Sequence, residues 1–431
     1  METINKIYKI FQSCKSVSID TRTIQPNSIY FALKGENFDG NDFVKDAIEK
    51  GCVAAVTSNK ENLTAENIFY VPDTLKAFQA LANLHRKTLN IPIIAITGTN
   101  GKTTTKELLT SVLSKKYRVS QTNGNRNNHI GVPLTLLSMN KTVDIGIVEM
   151  GANNIGEIKT LCEIAEPNYG IITNIGKAHL QGFGSIEGVK KTKSELYSYL
   201  KNTNGTIFVN ISNPILTELI DNYQNVVTYS SSYKAYCIGE YEDLSMKACV
   251  KWQCKGIKGY TKSNLIGNYN FENLLAAIAV GNYFNIHEAA IDEAIQNYIP
   301  RNNRSQLLIT ARNTLILDYY NANPTSMSLA ILNFCTINKK SKTLILGDML
   351  ELGNSSNIEH KKILDLLVEN NYKKVYLIGE NFMQFKDEYN FHFFDKIEDL
   401  IKYFTKIPET NSFILVKGSR GVKLEKCIDY L

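Results

Sequence analysis

The sequence contains no apolar stretch long enough to cross a membrane. No run of apolar residues reaches the roughly 18–20 residues that a spanning helix needs. The first residues, METINKIYKIFQSCKS, mix charged and polar side chains and lack the apolar segment of a secretory signal. These absences predict a soluble, cytoplasmic protein without membrane insertion.

Closely spaced cysteine pairs are also missing. The chain has eight cysteines but no Cys-x-x-Cys pair, and only six histidines. Structural zinc sites take their ligands from closely spaced cysteines and histidines. The pattern therefore disfavours a zinc site and predicts reduced, mostly buried thiols.

Neither sign of charge dominates, and arginine is scarce. The 48 basic and 42 acidic residues give a net charge of +6, which by itself does not indicate nucleic-acid binding. A guanidinium binds carboxylate or phosphate bidentately, so each arginine in so lysine-rich a chain is a candidate anion ligand. The arginines are Arg22, Arg86, Arg118, Arg126, Arg301, Arg304, Arg312 and Arg420. For Arg86 and Arg118 we expect a solvated surface position instead.

The chain does have ample apolar content for packed cores. Its 43% hydrophobic and 21% charged residues exclude disorder as the main state, and 431 residues suggest about two to four domains. Asn90-Ile91-Pro92 ends one helical pattern and Pro300 ends another. We therefore predict domains at residues 1–90, 91–300 and 301–431.

Short, continuously apolar runs alternate with helical patterns from Ile93 onward. IIAIT, DIGIVEMG and YGIITNIG in the middle of the chain are typical of strands buried on both faces of a parallel sheet. Beyond Pro300, TLILDYY, TLILGD, KKVYLIG and FILVKGS repeat the pattern. The sequence thus predicts α/β architecture: a small mixed first domain, a central parallel-sheet domain and a doubly wound, Rossmann-like C-terminal domain.

A glycine-rich loop stands between the strand IIAIT and a helical pattern. Glycines let backbone N–H groups approach phosphate oxygens, and the helix N-terminus adds a favourable dipole. Lys102 would hold the β- and γ-phosphates, and the Thr103 hydroxyl would bind Mg²⁺. The loop has two residues between its first glycine and Gly-Lys, where the general pattern has four. The candidate ATP-binding residues here are Gly98, Thr99, Asn100, Gly101, Lys102, Thr103 and Thr104.

Two further polar groups end the next predicted strands. Glu149 closes DIGIVEMG, and His179 follows YGIITNIG. Ligands of open α/β sheets collect at the carboxyl ends of the strands, so both side chains can face the same phosphates and hold Mg²⁺. Taken singly, a surface carboxylate and a hydrogen-bonded loop histidine explain these two residues better.

Seven segments together resemble the Mur ligase family, in the right order and over essentially the whole chain. They are GTNGKTTTKE, NGNRNNHIGVPLTLL, VEMGANNIGEI, TNIGKAHLQGFGS, NYNFENLLAAIA, DYYNANPTSM and LGDMLELG. The resemblance implies ATP-driven amide formation through an acyl phosphate. YNANP and GDMLELG resemble the members that add D-alanyl-D-alanine to UDP-N-acetylmuramoyl-tripeptide during peptidoglycan precursor synthesis. We expect a monomer that binds ATP, Mg²⁺ and these two substrates, and no nucleic acid.

The resemblance also implies roles for residues outside the loop. Glu149 and His179 match the family's Mg²⁺ ligands, and Lys193 falls where the family has a carbamylated lysine. A solvated basic face formed with Lys190 and Lys191 is the competing explanation. Further matches are the adenine-side Asn270 and Asn273, the γ-phosphate arginine Arg304 and the ribose-side Asp318. For Asn270, capping of the following helix is an alternative.

The substrate contacts implied by the resemblance lie in three regions. Where the family has a serine after Asp318, this chain has Tyr319. The face where the amine enters would be lined by Tyr320, Asn321, Asn323, Ser326, Asp348, Glu351 and Leu352, although Asn-Ala-Asn-Pro is also a good turn on its own. The uridine diphosphate pocket would involve Thr21, Arg22, Lys34, Gly35 and Asp39, some of which also suit ordinary turns. Asn125, Asn127 and Asn128 would contact the sugar or diphosphate.

Three other interpretations remain open at this stage. A different Mur-type ligase, or one similar to folylpolyglutamate synthetase, would share the ATP machinery but lack YNANP. A non-catalytic nucleotide-binding regulator would lack the metal and carbamate residues, which are present here. A nucleic-acid motor is disfavoured by the mild charge and the absence of a basic aromatic stripe.

Overall fold

Three β-sheets follow one another along the chain in a computed structural model that describes residues 2–244 and 246–431. The first sheet has four parallel strands in the order β1-β2-β3-β4. With its helices it forms what we call the N-terminal unit. Its elements are α1 (Glu2–Phe11), β1 (Ser16–Ser18), β2 (Ser28–Phe31), α2 (Val44–Glu49), β3 (Ala54–Thr57), β4 (Ile68–Tyr70) and α3 (Thr74–Leu89).

The second sheet has nine strands and forms the central unit, in the order β13-β12-β11-β10-β9-β8-β5-β7-β6. Strands β5 to β11 run parallel, and β12 and β13 extend one edge in antiparallel fashion. The strands are β5 (Ile93–Thr97), β6 (Val119–Gln121), β7 (Ile145–Glu149), β8 (Tyr169–Ile172), β9 (Thr206–Asn210), β10 (Val226–Ser230), β11 (Cys237–Leu244), β12 (Lys247–Cys254) and β13 (Ile257–Ile266). The helices are α4 (Lys102–Leu113), α5 (Gly131–Leu137), α6 (Glu157–Ala165), α7 (Leu180–Phe183), α8 (Ile186–Asn202), α9 (Pro214–Ile220), α10 (Phe271–Tyr283) and α11 (Glu288–Asn297).

The third sheet has six strands and forms the C-terminal unit, in the order β14-β15-β19-β16-β17-β18. Only the edge strand β14 runs antiparallel to its neighbour. The elements are β14 (Gln306–Ile309), β15 (Thr314–Asp318), α12 (Pro324–Thr336), β16 (Lys342–Gly347), α13 (Ser356–Glu369), β17 (Val375–Ile378), α14 (Glu380–Met383), β18 (His392–Phe394), α15 (Ile397–Lys406) and β19 (Phe413–Lys417).

Local sequence explains where these elements begin and end. Helix α3 begins after Asp73, whose carboxylate accepts a hydrogen bond from the backbone N–H of Lys76. It ends at Asn90, which adopts a left-handed conformation (φ 49°). Strands β5 and β7 are buried at every residue, as their continuous apolar runs predict. The predicted α/β organisation with parallel sheets is confirmed.

Two predictions about single residues are wrong. Arg86 is buried in α3, where its guanidinium donates to the carbonyl oxygens of Ala165 and Glu166 and to Asn168 Oδ1. Cys237 and Cys254, directly opposite each other on β11 and β12, form a disulfide, so the expectation of reduced thiols fails for this pair.

In the part of the chain that the structure describes, no helix is both long and apolar enough to span a bilayer.

Candidate active site

A cavity of about 890 Å³ is walled by the central and C-terminal units. The carboxyl ends of β5, β7, β8 and β15 open toward it, as expected for a ligand site in open α/β sheets. Most of the residues singled out in the sequence line this one cavity. They are Gly98, Thr99, Asn100, Gly101, Lys102, Thr103, Thr104, Asn125, Asn127, Asn128, Glu149, His179, Lys193, Asn270, Asn273, Arg304, Asp318, Tyr320, Asn321, Asn323 and Ser326.

The glycine-rich loop joins β5 to α4, and its glycines are sterically required. Gly98 and Gly101 have positive φ angles of 140° and 81°, and a Cβ atom on Gly98 would collide with Thr173 Oγ1. Lys102 Nζ donates to the carbonyl oxygens of Gly98 (2.7 Å) and Thr99 (3.0 Å). Burial, opposed by Glu149, lowers the pKa of Lys102 to about 8. The loop therefore holds a cation in place for an anionic ligand.

Glu149 presents one carboxylate oxygen to the cavity. Its Oε1 accepts a hydrogen bond from Asn127 Nδ2 at 2.8 Å. Its Oε2 is buried without a hydrogen-bond partner among the described residues and lies 3.8 Å from the Nζ atom of buried Lys106. A buried carboxylate oxygen that accepts no hydrogen bond suits a cation ligand.

His179 reaches the cavity from the loop between β8 and α7. Its backbone is left-handed, with φ 50°. Its Nδ1 lies 2.5 Å from Glu351 Oε2 of the C-terminal unit, and contact with His179 lowers the pKa of that carboxyl. Glu351 is not among the residues that line the cavity, although it contacts His179, which does.

Lys193 is separated from the other lysines of its basic run. Lys190 pairs with Glu218 at 2.6 Å and Lys191 is exposed, whereas Lys193 is buried on the cavity side of α8. Its Nζ lies 5.4 Å from the centre of the Phe183 ring. Burial, reinforced by the charge of Lys102, lowers the pKa of Lys193 to about 7. A solvated basic face therefore does not explain this residue.

Asn270 and Asn273 form a polar chain that ends on the loop's helix. Asn270 donates to the carbonyl oxygen of Ile266 (2.8 Å) and accepts from Asn273 Nδ2 (3.0 Å). Asn273 in turn accepts from Thr105 Oγ1 of α4 at 3.1 Å. The Asn270 side chain makes no capping hydrogen bond, so the capping explanation is wrong.

Arg304 lies in the linker between α11 and β14. Its guanidinium carbon is 4.0 Å from the centre of the Tyr320 ring, and its Nε is buried without a hydrogen-bond partner among the described residues. Nearby, Asp318 pairs with Lys417 at 2.5 Å (Oδ2 to Nζ) and accepts from the Ser305 N–H. Sequence reasoning missed Lys417, although a lysine at the carboxyl end of the buried strand FILVK was a usable signal.

The loop after β15 connects the C-terminal unit to the glycine-rich loop. Asn323 caps α12 by accepting from the N–H of Ser326, which returns a hydroxyl contact to the Asn323 N–H. The Asn323 amide also donates to Asn100 Oδ1 at 2.8 Å. Asn100 Nδ2 is buried and has no hydrogen-bond partner in the described ranges. This places a free amide donor of the loop beside the C-terminal unit.

Asp348 is not among the residues that line the cavity. It is buried, and its carboxylate accepts from the backbone N–H groups of Asn381 and Phe382 and from the Asn381 amide, at 2.7–3.0 Å. With these oxygens occupied, Asp348 joins its loop to the start of α14. Leu352 is likewise buried in the core of the C-terminal unit.

The five predicted residues of the N-terminal unit lie outside the cavity. Arg22 pairs with Asp20 at 2.7 Å, and Lys34 lies 3.5 Å from Asp39. Both cations are largely exposed on that unit's surface, with 86% and 75% of their side chains accessible. Neither Thr21 nor Gly35 lines the cavity.

A metal ion in this cavity would draw on few protein ligands. In residues 2–244 and 246–431, no group of three or more histidine, cysteine, aspartate and glutamate side chains could hold one. Glu149, His179 and Thr103 nevertheless line the same cavity, and Glu149 Oε2 accepts no hydrogen bond from the described residues. Mg²⁺ keeps several waters and binds through one or two protein ligands plus phosphate oxygens, so these residues fit Mg²⁺ bound together with a nucleotide.

Comparison with known proteins gives consistent matches along the chain. Family models match as "Mur ligase family, catalytic domain" at residues 13–98, "Mur ligase middle domain" at 96–281 and "Mur ligase, glutamate ligase domain" at 303–420. The UDP-N-acetylmuramoyl-tripeptide--D-alanyl-D-alanine ligase of Bacillus subtilis is 35% identical, covering 96% of this chain and 92% of its own. The enzyme of that name from Escherichia coli is 30% identical, with coverage of 96% and 92%.

Solved structures show the same likeness. A crystal structure of MurF from Acinetobacter baumannii superimposes with a TM-score of 0.87 at 27% identity, covering 99% of this chain and 97% of its own. MurF ligase from Thermotoga maritima in complex with ADP also reaches 0.87, at 24% identity and 97% coverage of each chain. Because its identity is only 24%, this second match supports the fold alone.

Proposed function

The chain belongs to the Mur ligase family, and we propose that it joins D-alanyl-D-alanine to UDP-N-acetylmuramoyl-tripeptide at the expense of ATP. Relatives with this activity in their names match over nearly the full length of both chains. The observation that carries the proposal is the single cavity in which the glycine-rich loop, Glu149, His179 and the YNANP loop meet. A phosphate site and an acceptor site are thus adjacent.

The reaction proceeds through an acyl phosphate. A carboxylate oxygen of the tripeptide attacks the γ-phosphorus of ATP, and the bond to the β,γ-bridging oxygen breaks to release ADP. The amine of D-alanyl-D-alanine then attacks the acyl carbon, loses a proton and expels inorganic phosphate. Since the phosphoryl chemistry needs mainly positioning and charge neutralisation, the chain supplies fixed cations, chiefly Lys102 and Arg304. Arg304 is available because its Nε has no protein partner among the described residues.

Bound Mg²⁺ supplies further neutralisation of the phosphoryl oxygens. We assign Thr103, Glu149 and His179 as the residues that hold it. Support comes from Glu149 Oε2, which accepts no hydrogen bond from the described residues, and from the shared lining of one cavity. The Asn127 amide holds the other carboxylate oxygen and so orients Glu149.

Lys193 is proposed to carry a carbamate. A neutral amine adds to CO₂ with loss of one proton, which converts a buried cation into an anion. Burial lowers the pKa of Lys193 to about 7, so a large fraction of its amine is neutral near physiological pH. The product would complement Mg²⁺ and remove the repulsion from Lys102.

The nucleotide base and sugar are assigned to the far side of the glycine-rich loop. Asn270 and Asn273 offer amides on the adenine side, and Asp318, held by Lys417, suits the ribose hydroxyls. On the C-terminal side, Tyr320, Asn321, Asn323 and Ser326 are proposed to receive the dipeptide.

The uridine diphosphate end is assigned to the N-terminal unit. There Thr21, Gly35 and Asp39 accompany the exposed cations Arg22 and Lys34. Residues 1–90, 91–300 and 301–431 then correspond to muramoyl-substrate, ATP and dipeptide domains. We also propose a monomer, located in the cytoplasm with its ATP supply.

The test is phosphate release measured with each substrate withheld in turn. Lys102→Ala and Glu149→Ala are expected to abolish release that depends on both the UDP-muramoyl tripeptide and D-alanyl-D-alanine. Lys191→Ala, an exposed lysine one turn from the cavity on α8, serves as the matched control and is expected to retain activity. A competition among free amino acids and D-alanyl-D-alanine, with the product weighed, identifies the acceptor. Equal ATP turnover without the dipeptide contradicts the proposal, and a product bearing another amino acid indicates a different Mur-type ligase.

A further inference from the structure

His179 and Glu351 meet across the boundary between the central and C-terminal units. The Nδ1 of His179 lies 2.5 Å from Glu351 Oε2, in a contact whose N–H direction departs from that of a linear hydrogen bond. Among the described residues, Nδ1 has no other partner. Glu351 is therefore the group that can satisfy this ring nitrogen.

Both residues are held in an uncommon backbone conformation. Their φ angles are 50° for His179 and 63° for Glu351, in the left-handed region that residues with a Cβ rarely adopt. Such conformations persist where the surrounding structure over-determines them, and they cluster at functional sites. Each loop thus aims one side chain at the other.

Contacts on both sides of His179 attach the same loop to the C-terminal unit. On one side, Lys177 Nζ pairs with Glu359 at 2.7 Å, and the Lys177 N–H donates to Thr325 Oγ1 at 3.2 Å. On the other, the Gln181 N–H donates to the Glu351 carbonyl oxygen at 3.2 Å. The loop that carries His179 is therefore bound by the C-terminal unit on both sides of the imidazole.

A carboxylate on one ring nitrogen determines what the other nitrogen can do. When Nδ1 holds its proton toward a carboxylate, Nε2 keeps a free lone pair, and the ring orientation is fixed. Carboxylate partners of this kind orient metal-binding histidines and raise their basicity. The arrangement thus prepares Nε2 of His179 as a ligand.

We propose that Glu351 is a positioning residue for the metal ligand His179, so that the C-terminal unit must dock before the metal site is complete. This rests on the proposed function, which assigns His179 to Mg²⁺. It replaces the sequence-based expectation that Glu351 receives the ammonium group of the dipeptide. The carboxylate lies outside the cavity wall and against the imidazole, which supports the positioning role.

The experiment compares Glu351→Ala and Glu351→Gln with Glu359→Gln as the matched control. Glu359 pairs with Lys177 in the same interface but does not contact His179. Two readouts are used: the Mg²⁺ concentration for half-maximal activity, and Mn²⁺ binding to the enzyme with ADP, measured by electron paramagnetic resonance. Glu351→Ala is expected to weaken metal binding by about 10- to 100-fold in both readouts. Glu351→Gln, whose amide oxygen can accept from Nδ1, is expected to lose less, and Glu359→Gln, which weakens one docking contact but keeps the carboxylate at His179, is expected to lose the least.

Three results overturn the proposal. Equal metal dependence of Glu351→Ala and the wild type excludes a role at the metal. If Glu351→Ala and Glu359→Gln weaken metal binding equally, Glu351 acts only as a docking contact. A raised KM for D-alanyl-D-alanine with unchanged metal binding restores the role in amine binding. If the wild-type enzyme fails to use the dipeptide, that result contradicts only the proposed function. Mn²⁺ binding still tests the inference in that case. Circular dichroism confirms that each variant folds.

Discussion

At the scale of single residues, burial changes the chemistry of two lysines in the cavity. Lys102 and Lys193 have little solvent to stabilise their charge, and desolvation is the main cause of both lowered pKa values. The charge of Lys102 further lowers the pKa of Lys193, whereas for Lys102 the effect of burial is opposed by Glu149 and reinforced by Arg304. Both residues therefore titrate within the range in which the enzyme can be assayed.

Lys193 is expected to make activity depend on CO₂. Enzyme prepared in CO₂-free buffer should lose most of its activity and regain it when bicarbonate is added. Because protonated amine does not react with CO₂, the bicarbonate concentration needed should rise as the pH falls below about 7. The check is phosphate release as a function of bicarbonate at several pH values. Lys193→Arg, which cannot be carbamylated, should be inactive at every concentration, and an active variant contradicts the carbamate.

Lys102 is expected to take up a proton when the nucleotide binds. Phosphate groups favour the charged lysine, so a pKa of about 8 in the free enzyme should rise, with uptake of about half a proton at pH 8. Nucleotide affinity should then decrease as the pH increases above 8. Calorimetry of ADP binding in buffers of different ionisation enthalpy measures the uptake. Lys102→Arg, charged at every pH used, should abolish it; persistence of the uptake in this variant assigns it to another group.

Sequence motifs identified the residues that line the cavity better than those that orient them. The glycine-rich loop and YNANP are each a continuous stretch of sequence, so the residues of each motif remain neighbours in the folded chain. Lys417 and Lys106 act through contacts with Asp318 and Glu149 that are distant in sequence, and no local pattern indicates such contacts. The hydrogen bonds from the backbone N–H groups of Asn381 and Phe382 to Asp348 likewise join residues more than 30 positions apart, so no local pattern indicates them.

At the scale of elements, the linker at residues 298–305 is tied to the helix of the glycine-rich loop. Glu107 on α4 accepts from the hydroxyl of Tyr298 at 2.5 Å and from the amide of Asn302. At its other end, the Ser305 hydroxyl contacts Tyr269 and Asn270. Arg304 lies between these two attachments, so its distance from the loop depends on both.

Removing the first attachment should slow the chemistry more than it weakens ATP binding. Glu107→Ala is expected to lower kcat by about 10- to 100-fold, since a displacement of about 1 Å has effects of this size, with little change in the KM for ATP. Steady-state kinetics test this. Glu293→Gln, which breaks the exposed pair between Glu293 and Lys115 near the same helices, is the control and should behave as the wild type. An unchanged kcat for Glu107→Ala would contradict the role of the linker.

Helices and buried strands were predictable from periodicity, whereas their pairing was not. The apolar runs IIAIT, DIGIVEMG and YGIITNIG correspond to β5 (Ile93–Thr97), β7 (Ile145–Glu149) and β8 (Tyr169–Ile172). The antiparallel arrangement of β11, β12 and β13 was not predicted. Strand direction depends on partners that a short apolar run does not specify.

At the scale of the whole molecule, Arg86 attaches the N-terminal unit to the central one. The core of the first sheet continues into the central unit, with Phe78 and Leu81 of α3 in the same cluster as Leu136 and Leu161. Arg86 adds charged hydrogen bonds to the end of α6. The two units should therefore unfold together.

Arg86→Ala is expected to decrease the free energy of unfolding by about 2–4 kcal/mol, because buried carbonyl oxygens lose a charged donor. Unfolding in urea, followed by fluorescence and circular dichroism, measures the change. Arg118→Ala removes an exposed pair with Asp144 and should have little effect. Equal stability of the two variants would show that the apolar contact alone holds the units together.

How the three units sit against one another could not be predicted from the sequence. The domain boundaries were inferred from Asn90-Ile91-Pro92 and Pro300, which indicate where elements end but not how units dock. Docking depends on pairs such as Lys177 with Glu359, whose members are ordinary surface residues until the fold brings them together.

The contacts of the C-terminal unit with residues 177–181 have a consequence for how ATP is used. If the metal site is complete only in the docked state, ATP bound by the undocked enzyme is poorly activated toward attack by water. In the docked state, the Asn323 amide also donates to Asn100 Oδ1 and so joins the C-terminal unit to the glycine-rich loop. ATP is then consumed mainly when an acceptor can be joined. Hydrolysis without an acceptor is slow because the undocked enzyme lacks the complete metal site.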